Sequence, residues 1–297
     1  MSQTEPLQVA VIGAGLIGID LLTRIQLSQR MACRLLVGRD DQARGLRLAE
    51  RLGCPTGSDG IASVVTDPEG FDLVFDASNA TAHAEHWAQL KPLGAKVIDL
   101  TPSMVGHMVI PTVNGRDALT HGNVNLVSCG GQASIPILHA LASRYTPTYI
   151  EVVTTAASQG VGRATRLNLD EYIDTTQRAI QGFTGVSDVK VMVNLSPAQP
   201  PTVFRVAMTV LAAGLEPDSV RDLVTSAADE MRGFVPGIEI AACTVHADRA
   251  FVAVHVQSTG DHIPRYAGNL DIINSAAVLL AEQYAANRDP GHSEEPS

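Results

Sequence analysis

The chain has 297 residues, enough for one large domain or two ordinary ones around a substantial core. Hydrophobic residues make up 45% and charged residues 18%, which excludes a disordered chain. The formal net charge of -10 argues against nucleic acid and anionic membranes as partners, because both demand basic patches. Four cysteines (Cys33, Cys54, Cys129 and Cys243) are far apart with no C-x-x-C pair, as in an intracellular protein with free thiols. No apolar run has the length of a membrane span, so the expected location is the cytoplasm.

Leu7 to Ile12 is a short β-branched apolar run and predicts a buried strand. Ile19 to Leu27 has helical spacing. "CRLLVG" predicts a second strand, and "QARGLRLAERLG" a helix stopping at Gly53. "FDLVFDAS" and "AKVIDLTP" predict further strands, with "AHAEHWAQLKPLG" as the helix between them. "VNLVSC" reads as a strand ending at Cys129, and "IPILHALASRY" as the next helix. Strands alternating with helices imply parallel βαβ units.

The rhythm changes after Pro147. "TYIEVVTTAAS", "DVKVMVNL", "TVFRVAMTVLA", "IEIAACTV" and "AFVAVHVQS" are longer, partly alternating strands, interrupted by helices near Leu169–Gly182 and Asp218–Gly233. "AGNLDIINSAAVLLAEQYAA" predicts a final amphipathic helix, followed by a polar tail. The expected architecture is α/β: a Rossmann-type parallel sheet domain (1–130 and 267–290), an α+β central domain with a mostly antiparallel sheet (131–266) and a flexible tail (291–297).

Gly13, Gly15 and Gly18 form G-x-G-x-x-G between the first strand and the first helix. The first glycine suits a tight turn, the second lets backbone approach a pyrophosphate, and the third lets helix and strand pack closely. This placement predicts dinucleotide binding. At the end of the second strand, Asp40 suits the ribose hydroxyls of NAD, while its neighbour Arg39 suits the extra phosphate of NADP. The reading favours NAD, with a solvated turn as the other account.

Cys129 precedes two glycines, at a strand end leading into a helix, where open α/β sheets place ligands. A helix start would lower its thiol pKa. A thiolate beside a nicotinamide suggests aldehyde oxidation through a thioester. Periodicity alone leaves Cys129 open between nucleophile and core thiol, whereas Cys33, Cys54 and Cys243 read as structural. His83 and His86, with Glu85, lack a third ligand at convincing spacing, so no metal is expected. Asp76 borders the expected crevice or caps the next turn, and Trp87 reads as packing.

"SCGGQASIP" (Ser128–Pro136), "IDLTP" (Ile98–Pro102), "NVN" (Asn123–Asn125) and "AGNLDI" (Ala267–Ile272) resemble the acylating acetaldehyde dehydrogenases of aromatic meta-cleavage pathways. The likeness runs from about Val9 to Ala286. It implies a semialdehyde-dehydrogenase-like fold and Cys129 as nucleophile, passing through a hemithioacetal and a thioester that coenzyme A resolves. It further implies cofactor contacts from Gly13, Ala14, Gly15, Leu16 and Ile17, with leucine where the family often has asparagine at Leu16. "TRLNLDEY" (Thr165–Tyr172) places Asn168 at a family asparagine near the reacting centre, a candidate oxyanion donor. Asn269 matches a residue on the nicotinamide side. Helix capping is the other account of both asparagines. The implied substrates are a short aldehyde such as acetaldehyde or propanal, NAD and coenzyme A. The implied assembly is a homodimer, with 4-hydroxy-2-oxovalerate aldolase as a candidate partner.

Three departures stand out. "SQGVGRATR" (Ser158–Arg166) displaces the family's glycine pattern and introduces Arg163. Val206 occupies the place of a family aspartate proposed to activate the cysteine, leaving Glu151, Asp170 and His262 as candidate replacements. The segment between "FVPG" (Phe234–Gly237) and "AGNLD" is shorter than in typical members. These departures keep two alternatives in view: a same-fold oxidoreductase for another aldehyde or semialdehyde, including one using NADP, and a non-catalytic homologue that binds an aldolase.

Overall fold

The computed structural model describes residues 5–161, 166, 168–260 and 262–288. The first half alternates strand and helix: β1 (Leu7–Ile12), α1 (Leu16–Leu27), β2 (Met31–Val37), α2 (Arg44–Arg51), β3 (Thr56–Gly57), α3 (Ile61–Val65), β4 (Leu73–Asp76), α4 (Ala80–Leu90) and β5 (Lys96–Asp99). Then come β6 (His107–Met108), α5 (Pro111–Asn114) and β7 (Asn123–Asn125). These strands form one seven-stranded sheet in the order β3-β2-β1-β4-β5-β7-β6, with every pairing parallel. The order reverses direction between β1 and β4, so the carboxyl ends of these strands flank the crevice that such sheets use for ligands.

Each face of this sheet buries its own core. Leu7, Val9 and Val11 pack with Leu21, Leu22 and Ile25 of α1 on one side. Ala10, Ile12 and Val74 pack with Val64 and Leu90 on the other. Burial on both faces explains why these strands read as continuous apolar runs rather than alternating ones.

The second half contains α6 (Cys129–Arg144), β8 (Tyr149–Ala157), α7 (Leu169–Thr184), β9 (Val189–Ser196), β10 (Phe204–Leu211), α8 (Pro217–Arg232), β11 (Ile238–His246) and β12 (Arg249–Val256). Its five strands are ordered β11-β12-β10-β8-β9, antiparallel except for β8 with β9. Ile150, Val152, Val206, Met208, Val252 and Val254 point to one face and bury against α6, α7 and α8. The other face, with Val153, Ala207 and Phe251, stays partly exposed. That explains the alternation along β8, β10 and β12.

Two expectations are corrected. The strand predicted to end at Cys129 stops at Asn125, because Asn125 Oδ1 accepts from the Val127 amide at 2.9 Å and turns the chain out of the ladder. Val127 then takes a left-handed φ of 62°, and α6 begins at Cys129 itself. The final helix α9 (Gly268–Asn287) is not amphipathic in use: Gly268 to Ala277 are all buried, because it wedges against α1 and α6.

A charged clamp fixes α9 on α1. Arg24 of α1 pairs with Asp20 at 2.6 Å and with Asp271 of α9, and donates to Ser275 Oγ at 2.8 Å. Asn274 Nδ2 adds bonds to Ile17 O and Asp20 Oδ2. Both carboxylates are almost fully buried, so losing the guanidinium would leave two uncompensated negative charges. Arg24→Ala is therefore expected to destabilise the protein by about 3 kcal/mol or more, measured as a fall in the denaturant midpoint of unfolding.

Candidate active site at the start of α6

Three groups of residues meet at the carboxyl edge of the parallel sheet: the glycine turn, the turn that carries Cys129, and the first residues of α7. The glycine turn has the shape of a phosphate cradle. Gly13 sits at φ 118°, and a methyl built there would stand 2.5 Å from Ala77 O. A methyl on Gly18 would fall 1.8 Å from Gly13 O, so only glycine lets α1 pack this tightly on the turn. Gly15 faces open space and is exposed, as is Leu16. No side chain caps α1 and no acidic residue occupies its first turn, which leaves its amides and their positive end open to an anion. These residues fit a dinucleotide pyrophosphate. Ala14 and Ile17 are half-buried beside them. Asp40 lies exposed beyond β2, with Oδ1 accepting from the Gln42 amide at 2.9 Å. Arg39 is exposed beside it.

The cysteine turn is tied down residue by residue. Asn125 Nδ2 donates to Asp99 Oδ2 and to Thr101 O, both at 2.7 Å. Ser128 is the N-cap of α6 and its Oγ accepts from Gly131 N at 2.9 Å. The Thr176 hydroxyl donates to Tyr172 O, so the 2.6 Å contact between Ser128 and Thr176 must carry the serine's proton. The serine thus accepts from α6 and donates to α7, and pins the two helices together.

Cys129 is half-buried at the first position of α6. The Tyr172 hydroxyl lies 3.4 Å from its Sγ and accepts from Gly130 N at 2.8 Å. A methyl on Gly130 would stand 2.5 Å from both Tyr172 Oη and Thr154 Oγ1, so a bare backbone is required here. The amides at the helix start lower the thiol pKa as expected, but they do not decide its net direction. Burial pushes the thiol up to about 11, and Tyr172 and the Gly130 amide offset this only in part.

Asn168 is almost fully buried at the N-cap of α7, yet its side chain does not cap that helix. Its Oδ1 accepts from Ala80 N at 3.2 Å, at the start of α4 beside the parallel sheet. This orients the amide and leaves Nδ2 able to donate elsewhere. Asn269 is also buried but lies inside α9, where Ala267 holds the N-cap position, so capping does not account for it. Val206 is fully buried and pairs with Thr154 in the β10–β8 register. None of the candidate bases is bonded to the thiol. Glu151 points to the opposite face of the sheet, paired with Lys190 at 3.6 Å, and Asp170 is exposed. His262 is half-buried with no bond to Cys129, and Arg163 lies outside the described residues. Arg166 donates to Val161 O and Ser158 Oγ.

Sequence reasoning missed Tyr172 and Thr154. A signal existed: Asn168, Tyr172 and Thr176 follow at spacing four, one polar stripe on one helical face. It also missed what the histidines do. His83 Nδ1 and His86 Nδ1 both lie 2.8 Å from Asp76 Oδ2, and His83 Nε2 lies 3.4 Å from Asp99 Oδ2. Asp76 Oδ1 also accepts from Ser78 N at 3.0 Å, capping the next turn. Among the described residues no group of three or more His, Cys, Asp or Glu is placed to hold a metal ion.

Burial alone would lower the pKa of His83, but the hydrogen bond to Asp76 and the charges of Asp99 and Asp76 outweigh it and raise it above 6.5. Burial and the charge of Asp76 push Asp99 up to about 6. Asp76 is held low: burial opposes its ionisation, and the two histidines prevail. Because the folded pKa of His83 exceeds its unfolded value, its stabilisation is complete below about pH 6.5 and is lost as pH rises through the folded pKa. His83→Gln is therefore expected to depress the thermal midpoint most below about pH 6.5, with a shrinking deficit above it, as measured by scanning calorimetry across pH.

Comparison with known proteins fits this geometry. Residues 8–121 match a family model described as the semialdehyde dehydrogenase NAD-binding domain, and residues 129–264 match prokaryotic acetaldehyde dehydrogenase, dimerisation. An acetaldehyde dehydrogenase of Streptomyces griseus is 53% identical over 95% of this chain and 91% of its own length. One of Spirochaeta aurantia is 43% identical over 95% of each chain, and one of Pectobacterium atrosepticum is 40% identical over 96% and 97%. Aspartate semialdehyde dehydrogenase II from Vibrio cholerae shares the fold, with a TM-score of 0.65 at 14% identity over 94% of this chain and all of its own. Extent, identity and architecture agree: this chain belongs to the acetaldehyde dehydrogenase family.

Proposed function

We propose that the chain is an NAD-dependent, CoA-acylating aldehyde dehydrogenase acting on a short aldehyde such as acetaldehyde or propanal, with Cys129 as nucleophile. The observation that carries this reading is the thiol's position: first residue of α6, at the carboxyl edge of the parallel sheet, with two glycines after it. The family match over nearly the whole chain favours the acylating reaction over the other oxidoreductases of this fold and over a binding-only role.

Residues 1–130 with 267–290 form the cofactor unit in this reading, and 131–266 the substrate and dimerisation unit. Gly13, Ala14, Gly15, Leu16 and Ile17 hold the pyrophosphate, Asp40 the adenosine ribose and Asn269 the nicotinamide side. NAD, when bound, supplies the hydride acceptor. Cys129 Sγ bonds to the aldehyde carbon, and the carbonyl oxygen gains charge that Asn168 Nδ2 stabilises by donation. Loss of hydride from that carbon leaves an acyl group on sulfur. The thiolate of coenzyme A then bonds to the acyl carbon and the Cys129 sulfur departs. One sulfur serves both halves because a thiolate is both a strong nucleophile and a good leaving group.

The partly exposed face of the five-stranded sheet suits a homodimer, in line with the dimerisation model over residues 129–264. We extend the family likeness to a 4-hydroxy-2-oxovalerate aldolase as partner, tested by co-purification. Among the described residues no helix is long and apolar enough to cross a membrane. Four free cysteines fit a reducing cytoplasm.

NADH formation from acetaldehyde and NAD is expected to require coenzyme A and to fall to background in Cys129→Ala. Turnover surviving in the variant would exclude Cys129 as nucleophile. Gly18→Ala is expected to weaken NAD binding at least about tenfold in a fluorescence titration, because its methyl displaces the turn.

A further inference from the structure

The described residues place no carboxylate or imidazole against the thiol, and yet the thiol is half-buried and must ionise to react. Its only side-chain hydrogen-bond partner among them is a phenol. We propose that Tyr172 is a catalytic residue of this enzyme: its hydroxyl donates a hydrogen bond to the Cys129 thiolate, both when that sulfur attacks and when it leaves. The proposal rests on Cys129 being the nucleophile.

The proton count supports it. Tyr172 Oη already accepts from Gly130 N at 2.8 Å, which fixes the phenol's position through the backbone of the residue after the cysteine. The phenol has one proton to give. Two groups lie beside it: Cys129 Sγ at 3.4 Å, and Thr154 Oγ1, a buried hydroxyl that makes no hydrogen bond elsewhere. A thiolate attracts that proton more strongly than a neutral hydroxyl, so ionisation of Cys129 turns the phenol toward sulfur. Val206, across the strand ladder from Thr154, supplies no competing acceptor.

Tyr172 cannot be the base. Burial, and then the neighbouring Cys129 charge and hydrogen bond, keep its phenol protonated well beyond the ordinary range. The proton released by the thiol therefore passes to solvent, and Tyr172 keeps its own. No bond to Tyr172 forms or breaks during the reaction. Its 6% exposure and its place one turn beyond Asn168 on α7 put both donors on one rigid element, one serving the sulfur and one serving the carbonyl oxygen.

The test is the pH profile of Cys129 alkylation by iodoacetamide in the full chain without cofactor, read on the Cys129 peptide by mass spectrometry. Tyr172→Phe is expected to raise the apparent thiol pKa by about one unit or more. The alkylation rate at about pH 8 should fall about tenfold. A purely packing role for Tyr172 would leave that pKa in place. A profile that superimposes on the wild type overturns the proposal. If the phenylalanine variant fails to fold, a ring-fluorinated tyrosine at position 172 keeps every contact and makes a stronger donor. It should then lower the thiol pKa, and no shift overturns the proposal. Turnover of Cys129→Ala, measured in parallel, separates the two ideas. Its loss beside an unmoved profile rejects Tyr172 alone, whereas its survival rejects the nucleophile assignment.

Discussion

The three-residue turn between β7 and α6 is the constraint on which the site depends. Asn125 ends the strand through its side-chain oxygen and is itself held by Asp99 and Thr101, Val127 takes a left-handed backbone, and Ser128 caps the helix. Each bond contributes only about 1 kcal/mol, but together they leave Cys129 one place to be. The same serine binds Thr176 of α7, so placing the cysteine also places Tyr172 and Asn168. The thiol and the start of α7 are thus held in place by contacts between two helices, Ser128 with Thr176 and Gly130 with Tyr172.

Two electrostatic effects compete at the thiol. The start of a helix favours an anion by at most a kcal/mol or two, while burying a charge without a counter-ion costs more. Here burial prevails and the resting thiol is protonated. A thiol in such surroundings gains from donors that act only once charge appears, because they stabilise the thiolate without a permanent cation beside it.

Behind the sheet edge, Asp76, His83, His86 and Asp99 form a buried charged cluster that connects to the turn through Asp99 and Asn125. Asn123 Nδ2 lies 3.0 Å from His83 Nε2, while its Oδ1 is buried without a partner. Rotating that amide would let the oxygen accept a second imidazole proton, in keeping with a histidine that favours its charged form. The cluster joins β4 to β5, and through Asn123 and Asn125 to β7.

Much of this was legible in the chain. Apolar runs such as Leu7–Ile12, the glycine spacing at Gly13, Gly15 and Gly18, and the alternation along Tyr149–Ala157 are local patterns, and local sterics with burial periodicity suffice to produce the elements they predict. Local pattern left Cys129 open between nucleophile and core thiol, and the family resemblance of "SCGGQASIP" favoured the nucleophile. Tertiary structure alone decided what surrounds that sulfur. Tyr172 is 43 residues away and Thr154 lies on another sheet, so no spacing announces their meeting. It also decided that burial outweighs the helix start at the thiol, that the Asn168 amide reaches back to Ala80, and that α9 is enclosed. Desolvation and long-range hydrogen bonds depend on which segments pack together, and a one-dimensional pattern does not carry that information.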